Sequence, residues 1–99
     1  MHLIEAHRDK VINLCEKHKV DKLFAFGSIL TDRFNNNSDV DLLVNFKKIN
    51  LYEYADNYFL LKFSLEDLFN RKVDLLEDQA VKNPFFRKSV DAQKKLIYG

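Results

Sequence analysis

The chain is poor in the residues that usually announce a fold. It has one cysteine, one proline, two glycines and no tryptophan in 99 residues. A single thiol excludes an internal disulfide, so packing alone must hold the fold together. Cys15 falls on the apolar side of an expected helix and reads as a small buried hydrophobe. Charge of one sign is also lacking: sixteen Lys and Arg against fifteen Asp and Glu leave a formal net charge of +1. A protein that grips nucleic-acid backbones generally needs a marked basic excess, so that function is not the leading expectation. No apolar run approaches the roughly 20 residues that span a bilayer. The opening MHLIEAHRDK has no apolar core of the signal-peptide kind, and a cytosolic location is expected. His2, His7 and His18 lie on or near the first expected helix without ligand spacing, which points to structural or solvent-facing roles.

What is present is ordinary for a folded domain: 46% hydrophobic and 31% charged residues, with nine Phe and four Tyr among them. The length predicts one domain over residues 1–99 with a modest core. Leu3, His7, Val11, Leu14, Cys15 and His18 recur at helical spacing and predict an amphipathic helix over 3–18. Lys22-Leu23-Phe24-Ala25-Phe26 predicts a strand that breaks at Gly27. Ser28 to Phe34 reads as a short helix capped by Ser28, followed by the polar turn Asn35 to Ser38. Val40 to Phe46 predicts a strand buried on both faces, Leu51 to Phe69 a long helix, and Val73 to Leu76 a third strand. Pro84 opens a last helix, with Phe86, Val90 and Ile97 on one face and Gly99 at its end. The expected class is α/β (α+β), a small mixed sheet flanked by helices in the order α-β-α-β-α-β-α.

Three aspartates carry the chemistry. Asp39 and Asp41 are two apart at the start of a strand, so their side chains point the same way. Left unpaired, the two carboxylates repel. A hard divalent cation removes that penalty, and Mg²⁺ is satisfied by a few carboxylates, waters and substrate phosphates. Asp74 sits inside an otherwise apolar strand, where an ionised carboxylate needs a partner or a metal. If that strand lies beside the second, Asp74 reaches the same place, as a further ligand or as a base for an attacking hydroxyl. The plainer alternative is a set of solvated charges at strand ends.

Gly27-Ser28, between a strand and an expected helix, is a candidate phosphate seat, because glycine admits close approach and helix-start N–H groups bind anions. The bland counterpart is a capped turn. Arg33 is a candidate phosphate contact through its guanidinium. Arg71 and Lys72 could touch phosphate or pair with acids, and Ser38 reads as a turn cap.

Together, Phe26-Gly27-Ser28 and Ser38-Asp39-Val40-Asp41-Leu42-Leu43-Val44 resemble the signature of the DNA polymerase beta-like nucleotidyltransferase superfamily. Arg71-Lys72-Val73-Asp74-Leu75 is similar to its third-carboxylate strand. Length and ending resemble the minimal nucleotidyltransferases, the MntA-like antitoxins. The resemblance implies transfer of a nucleoside monophosphate from a Mg²⁺-bound triphosphate, ATP or another, to a hydroxyl. Gly27 and Ser28 would hold phosphates, Asp39 and Asp41 metal, and Asp74 would be the third carboxylate and base. It also implies a HEPN-domain toxin as partner; some such antitoxins modify a tyrosine of the toxin with AMP. One departure stands out. Many members carry Arg where this chain has Thr31, and Arg33, two places on, lies on a different helical face. The competing expectation is an antitoxin that neutralises its partner by binding alone, through aromatics such as Tyr52, Tyr54, Tyr58, Phe59, Phe63, Phe69, Phe85 and Phe86. Modification of a small molecule is disfavoured, since such relatives usually hold the acceptor with a further domain.

Overall fold

A computed structural model describes residues 2–99. Helix α1 (His2–Ala6) and helix α2 (Arg8–Lys17) precede strand β1 (Val20–Phe26). A 3₁₀ turn (Gly27–Leu30) and an irregular segment lead to β2 (Val40–Phe46). Helix α3 (Leu51–Phe69), β3 (Val73–Glu77), a second 3₁₀ turn (Asp78–Ala80), α4 (Pro84–Gln93) and β4 (Lys95–Tyr98) complete the order. The sheet runs β3-β2-β1-β4. β1 is antiparallel to both β2 and β4, whereas β2 and β3 are parallel. The fold is therefore α+β with a mixed sheet, as expected.

Local chemistry explains the long helix. Asn50 caps α3 by accepting from the Tyr52 N–H at 2.9 Å. Asn70 ends it in the left-handed region, at φ 52°. Leu61, Leu65 and Phe69 are buried from one face of α3 against Val40, Leu42 and Val44 of β2 and Val11 and Cys15 of α2. Each such leucine contributes about 2 kcal/mol of apolar burial. The other face of the sheet holds a smaller cluster of Phe26, Leu43 and Val90, with Phe24, Leu76 and Val81 against it.

Three expectations need correction. The single first helix is two, broken at His7, whose backbone (φ −117°, ψ 21°) leaves the helical range. The helix expected over Ser28 to Phe34 is one 3₁₀ turn. Thr31 bonds back on itself there: its N–H and its hydroxyl both donate to the Ser28 carbonyl, at 2.9 Å each. Its Oγ1 in turn accepts from the Arg33 N–H, so a side chain replaces the helical ladder. Finally, the last helix stops at Gln93, and Lys95–Tyr98 is a strand along the free edge of β1. Ile97 is buried from that strand rather than from a helix, and Gly99, at φ 112°, ends no helix. Pairing satisfies backbone groups that β1 would otherwise leave open.

Cys15 is buried, and burial, reinforced by the charge of Glu16, pushes its thiol up to about 12. His18 is buried at 4% exposure, and its Nε2 has no hydrogen-bond partner among the described residues. Burial lowers its pKa; the side-chain hydrogen bond with Asn57 works against this and the charge of Lys17 adds to it. A neutral buried imidazole stabilises the fold above the ordinary histidine pKa. That contribution is lost as pH falls through the lowered value. The wild-type melting temperature is therefore expected to drop more between pH 7 and pH 5 than that of His18→Leu; equal drops by scanning fluorimetry would refute this.

Candidate active site

The site grows out of strand alternation. Val40, Leu42 and Val44 of β2 all point into the main core. Asp41 and Leu43 therefore face the other side, where Leu43 packs on Phe26 and Val90. On one side Asp41 pairs in register with Asp74 of β3, and on the other with Phe26, the last residue of β1. In parallel strands, partners in register present their side chains to the same face, so the two carboxylates are neighbours. Asp39 stands one residue before β2. Asp39 and Asp74 are exposed and Asp41 is half-buried. Burial raises the pKa of Asp41, and the negative charges of Asp74 and Asp39 raise it further. The structure thus brings the three predicted aspartates into one electrostatic neighbourhood.

Gly27 closes the site from β1. Its φ is +77°, and a Cβ there would overlap Asp41 Oδ2. Only glycine allows the turn to lie this close to the carboxylate. The Gly27 N–H donates to Gln93 Oε1 at 3.3 Å, and Gln93 Nε2 donates to Ser89 Oγ at 3.2 Å. The end of α4 therefore lies over the turn. Nothing in the sequence pointed to Gln93, because its place depends on where α4 returns to the sheet. Ser28 is the second residue of the 3₁₀ turn and does not cap a helix; the residue before that turn is Phe26 and makes no side-chain cap.

Five residues near the site have other settings. Arg33 is exposed, and among the described residues its guanidinium has no hydrogen-bond or ion-pair partner. Thr31 is occupied in closing its own turn. Arg71 does not pair with an acid within 4 Å among the described residues; its Nη1 donates to the carbonyls of Asn35 and Ser38, at 2.9 and 3.0 Å. Ser38 caps its turn, its Oγ accepting from the Asn35 N–H at 3.1 Å. Lys72 is exposed and offers its carbonyl to the Val40 N–H.

The donor set suits a hard cation. Salt bridges among the described residues join Lys19 to Glu53, Arg87 to Asp78 and Asp91, and Lys94 to Asp91, and none of them neutralises the three aspartates. Carboxylates without an ion-pair partner among the described residues are the donor type that a hard divalent cation takes. As they stand, no three described His, Cys, Asp or Glu side chains are grouped to hold a metal unaided.

Comparison with known proteins adds a family. The family model described as polymerase beta, nucleotidyltransferase matches residues 9–99. A Methanocaldococcus jannaschii protein named "Putative protein adenylyltransferase" is 40% identical over 87 residues, covering 86% of this chain and 82% of that one. A second protein of the same organism and description is 32% identical over 85 residues, with the same coverage of each chain. A solved structure described as a "putative minimal nucleotidyltransferase" has a TM-score of 0.77 at 28% identity, covering 95% of this chain and 92% of that one. The fold is also shared, at TM-score 0.65 and 19% identity, with a chain from a complex of a tri-AMPylated Shewanella oneidensis HEPN toxin with an MNT antitoxin; 96% of this chain and 71% of that one are covered. With the family model matching residues 9–99, the chain belongs to the polymerase beta nucleotidyltransferase family.

Proposed function

We propose that this chain transfers AMP from MgATP to a hydroxyl of a partner protein, and that the partner is a HEPN-type toxin which it holds in check. One observation carries the reading: Asp41 and Asp74 stand in register on adjacent parallel strands, beside a glycine that makes room for the Asp41 carboxylate. The M. jannaschii relatives' name and the AMPylated toxin of the S. oneidensis complex support the substrate and partner classes. A neighbour of the same fold (TM-score 0.70, 22% identity) comes from a toxin–antitoxin complex with AMP-PNP, which supports ATP as the donor.

In this mechanism Asp39, Asp41 and Asp74 hold the metal. Bound there, Mg²⁺ supplies charge neutralisation for the triphosphate. The turn at Gly27 and Ser28 offers its N–H groups and the Ser28 hydroxyl to phosphate oxygens, with Gln93 giving up the Gly27 N–H. Arg33, exposed just beyond the turn, reaches the same phosphates in the role that many members give to an arginine at the position of Thr31. Asp74 accepts the proton of the acceptor hydroxyl. The hydroxyl oxygen then bonds to the α-phosphorus, the bond from that phosphorus to its bridging oxygen breaks, and pyrophosphate leaves. Alignment and electrostatic stabilisation provide the acceleration. The test is intact-mass measurement of a co-purified HEPN partner after incubation with the protein and MgATP. A gain of one or more AMP units is expected; no gain, with the partner still neutralised, would sink the catalytic reading.

A second reading, neutralisation by contact alone, has its own support. Tyr52, Phe59 and Phe63 are exposed along the outer side of α3, at 92%, 49% and 53%, where a surface helix is normally polar. Phe59 and Phe63 stack on each other at 5.9 Å. Of the other aromatics named for this role, Phe69 is buried, Tyr54 and Tyr58 are half-buried, and Phe85 and Phe86 are exposed. Co-expression of the toxin with Asp41→Asn and with Phe59→Ser/Phe63→Ser separates the readings. Loss of protection only with the aspartate variant is expected from catalysis. Loss only with the α3 variant identifies masking.

A further inference from the structure

The segment that delivers Asp39 has no regular structure of its own. Its turn is closed by the Ser38 N–H to the Asn35 carbonyl at 3.0 Å, the Asn35 N–H to Ser38 Oγ at 3.1 Å and the Asn37 N–H to Asn35 Oδ1 at 2.8 Å. These bonds shape the turn without fixing it to the sheet. Arg71 provides a fixing. Its Nη1 donates to the carbonyls of both Asn35 and Ser38, the two ends of the turn. The guanidinium also lies over the Phe34 ring, 4.5 Å from its centroid, and Phe34 packs against the main core. Arg71 is itself held, because its N–H donates to the Glu66 carbonyl at the end of α3. Next to it, the Val73 N–H donates to Glu66 Oε2 at 3.0 Å, and the Lys72 carbonyl accepts from the Val40 N–H at 3.0 Å.

Arginine forms its strongest side-chain pairs with carboxylates. Here its donors go to backbone carbonyls instead. Ser38 immediately precedes Asp39, so the carbonyl that Arg71 grips belongs to the peptide unit that carries Asp39. Arg71 also lies three residues before Asp74. One side chain thereby ties together the starts of the two strands that bring the carboxylates to one place.

We propose that Arg71 is a positioning residue that sets the place of Asp39 relative to Asp41 and Asp74, and that it acts on cation binding through that turn and not by touching phosphate. This rests on the reading of the aspartates as the metal site. A lysine keeps the charge but loses the planar fork and the stacking on Phe34.

The experiment is Mn²⁺ titration of the protein with AMP-PNP, for wild type, Arg71→Lys, Asp39→Asn and the double variant. Arg71→Lys is expected to weaken binding roughly tenfold, as loss of outer-shell support for a metal ligand does. In the Asp39→Asn background it is expected to add less than twofold. An equal loss in both backgrounds would overturn the proposal, since that is the signature of direct phosphate contact. Amide hydrogen exchange of the metal-free protein decides independently of the metal reading. Arg71→Lys, and Arg71→Met as a second variant, should speed exchange at Ser38 and leave Leu42 unchanged. Unchanged Ser38 exchange in both variants would also overturn it. If the wild type binds no Mn²⁺ with AMP-PNP, the metal reading fails and exchange alone judges the tether.

Discussion

Asp41→Asn is expected to abolish the proposed nucleotidyl transfer and, in the metal-free protein, to raise the melting temperature at neutral pH. Burial and the charges of Asp74 and Asp39 disfavour the ionised Asp41 carboxylate, so its pKa is raised on folding. A carboxyl with a raised folded pKa favours folding at low pH, and that contribution is lost as pH rises through the raised value. An uncharged amide removes the penalty. The variant should therefore melt higher than the wild type at neutral pH. Below the ordinary carboxylate range the wild type is protonated too, and the difference should vanish. Transfer is expected to move the other way: if Asp41 anchors metal and triphosphate as proposed, removing its charge costs about 4 kcal/mol or more, a thousandfold in rate. Asp74→Asn should lose transfer equally with little stability gain, because Asp74 is exposed. The checks are transfer from labelled ATP and thermal melts in chelator at neutral and acid pH. An Asp41→Asn protein that still transfers AMP would end the assignment.

Gly27→Ala is expected to damage both stability and the site. Two penalties combine in it: an L-residue at φ +77° is strained, and the new Cβ would overlap Asp41 Oδ2. Together they should cost about 2 kcal/mol of stability and displace the carboxylate that the chemistry needs. A double-mutant cycle separates the two. In an Asp41→Ala background the overlap is gone and the strain remains, so Gly27→Ala should cost about 1 kcal/mol less there. If it costs the same in both backgrounds, crowding against Asp41 is not why glycine occupies this position.

How the residues signalled these features varied with the range of the interaction. Apolar runs ending at a glycine, at polar turns or at Asn83-Pro84 gave the strands β1, β2 and β3 and the starts of α3 and α4, because those signals act within a few residues. Asn83 bears this out: its side chain accepts from the N–H groups of Phe85 and Phe86, at 3.0 and 3.1 Å. The ends of elements were harder to read. Thr31 stops its turn through a side-chain bond that competes with the helical ladder. Lys95–Tyr98 had both helical and strand potential, and became a strand only because β1 offered an unpaired edge. Period-2 reasoning placed Asp39 and Asp41 together, but it could state the position of Asp74 only as a condition on which strand lay beside which.

The sequence by itself determined the residue types of the site and their order. Gly27-Ser28, the Asp39/Asp41 pair and the lone Asp74 in an apolar strand are local patterns, and their chemistry follows from charge and backbone freedom. Tertiary structure alone decided that β3 runs parallel beside β2 with Asp74 level with Asp41, that α4 brings Gln93 onto the Gly27 N–H, and that Arg71 grips two carbonyls of the Asn35–Ser38 turn. Each of these joins residues more than thirty positions apart. Their pairing depends on how sheet and helices pack, and no local pattern in the chain encodes that.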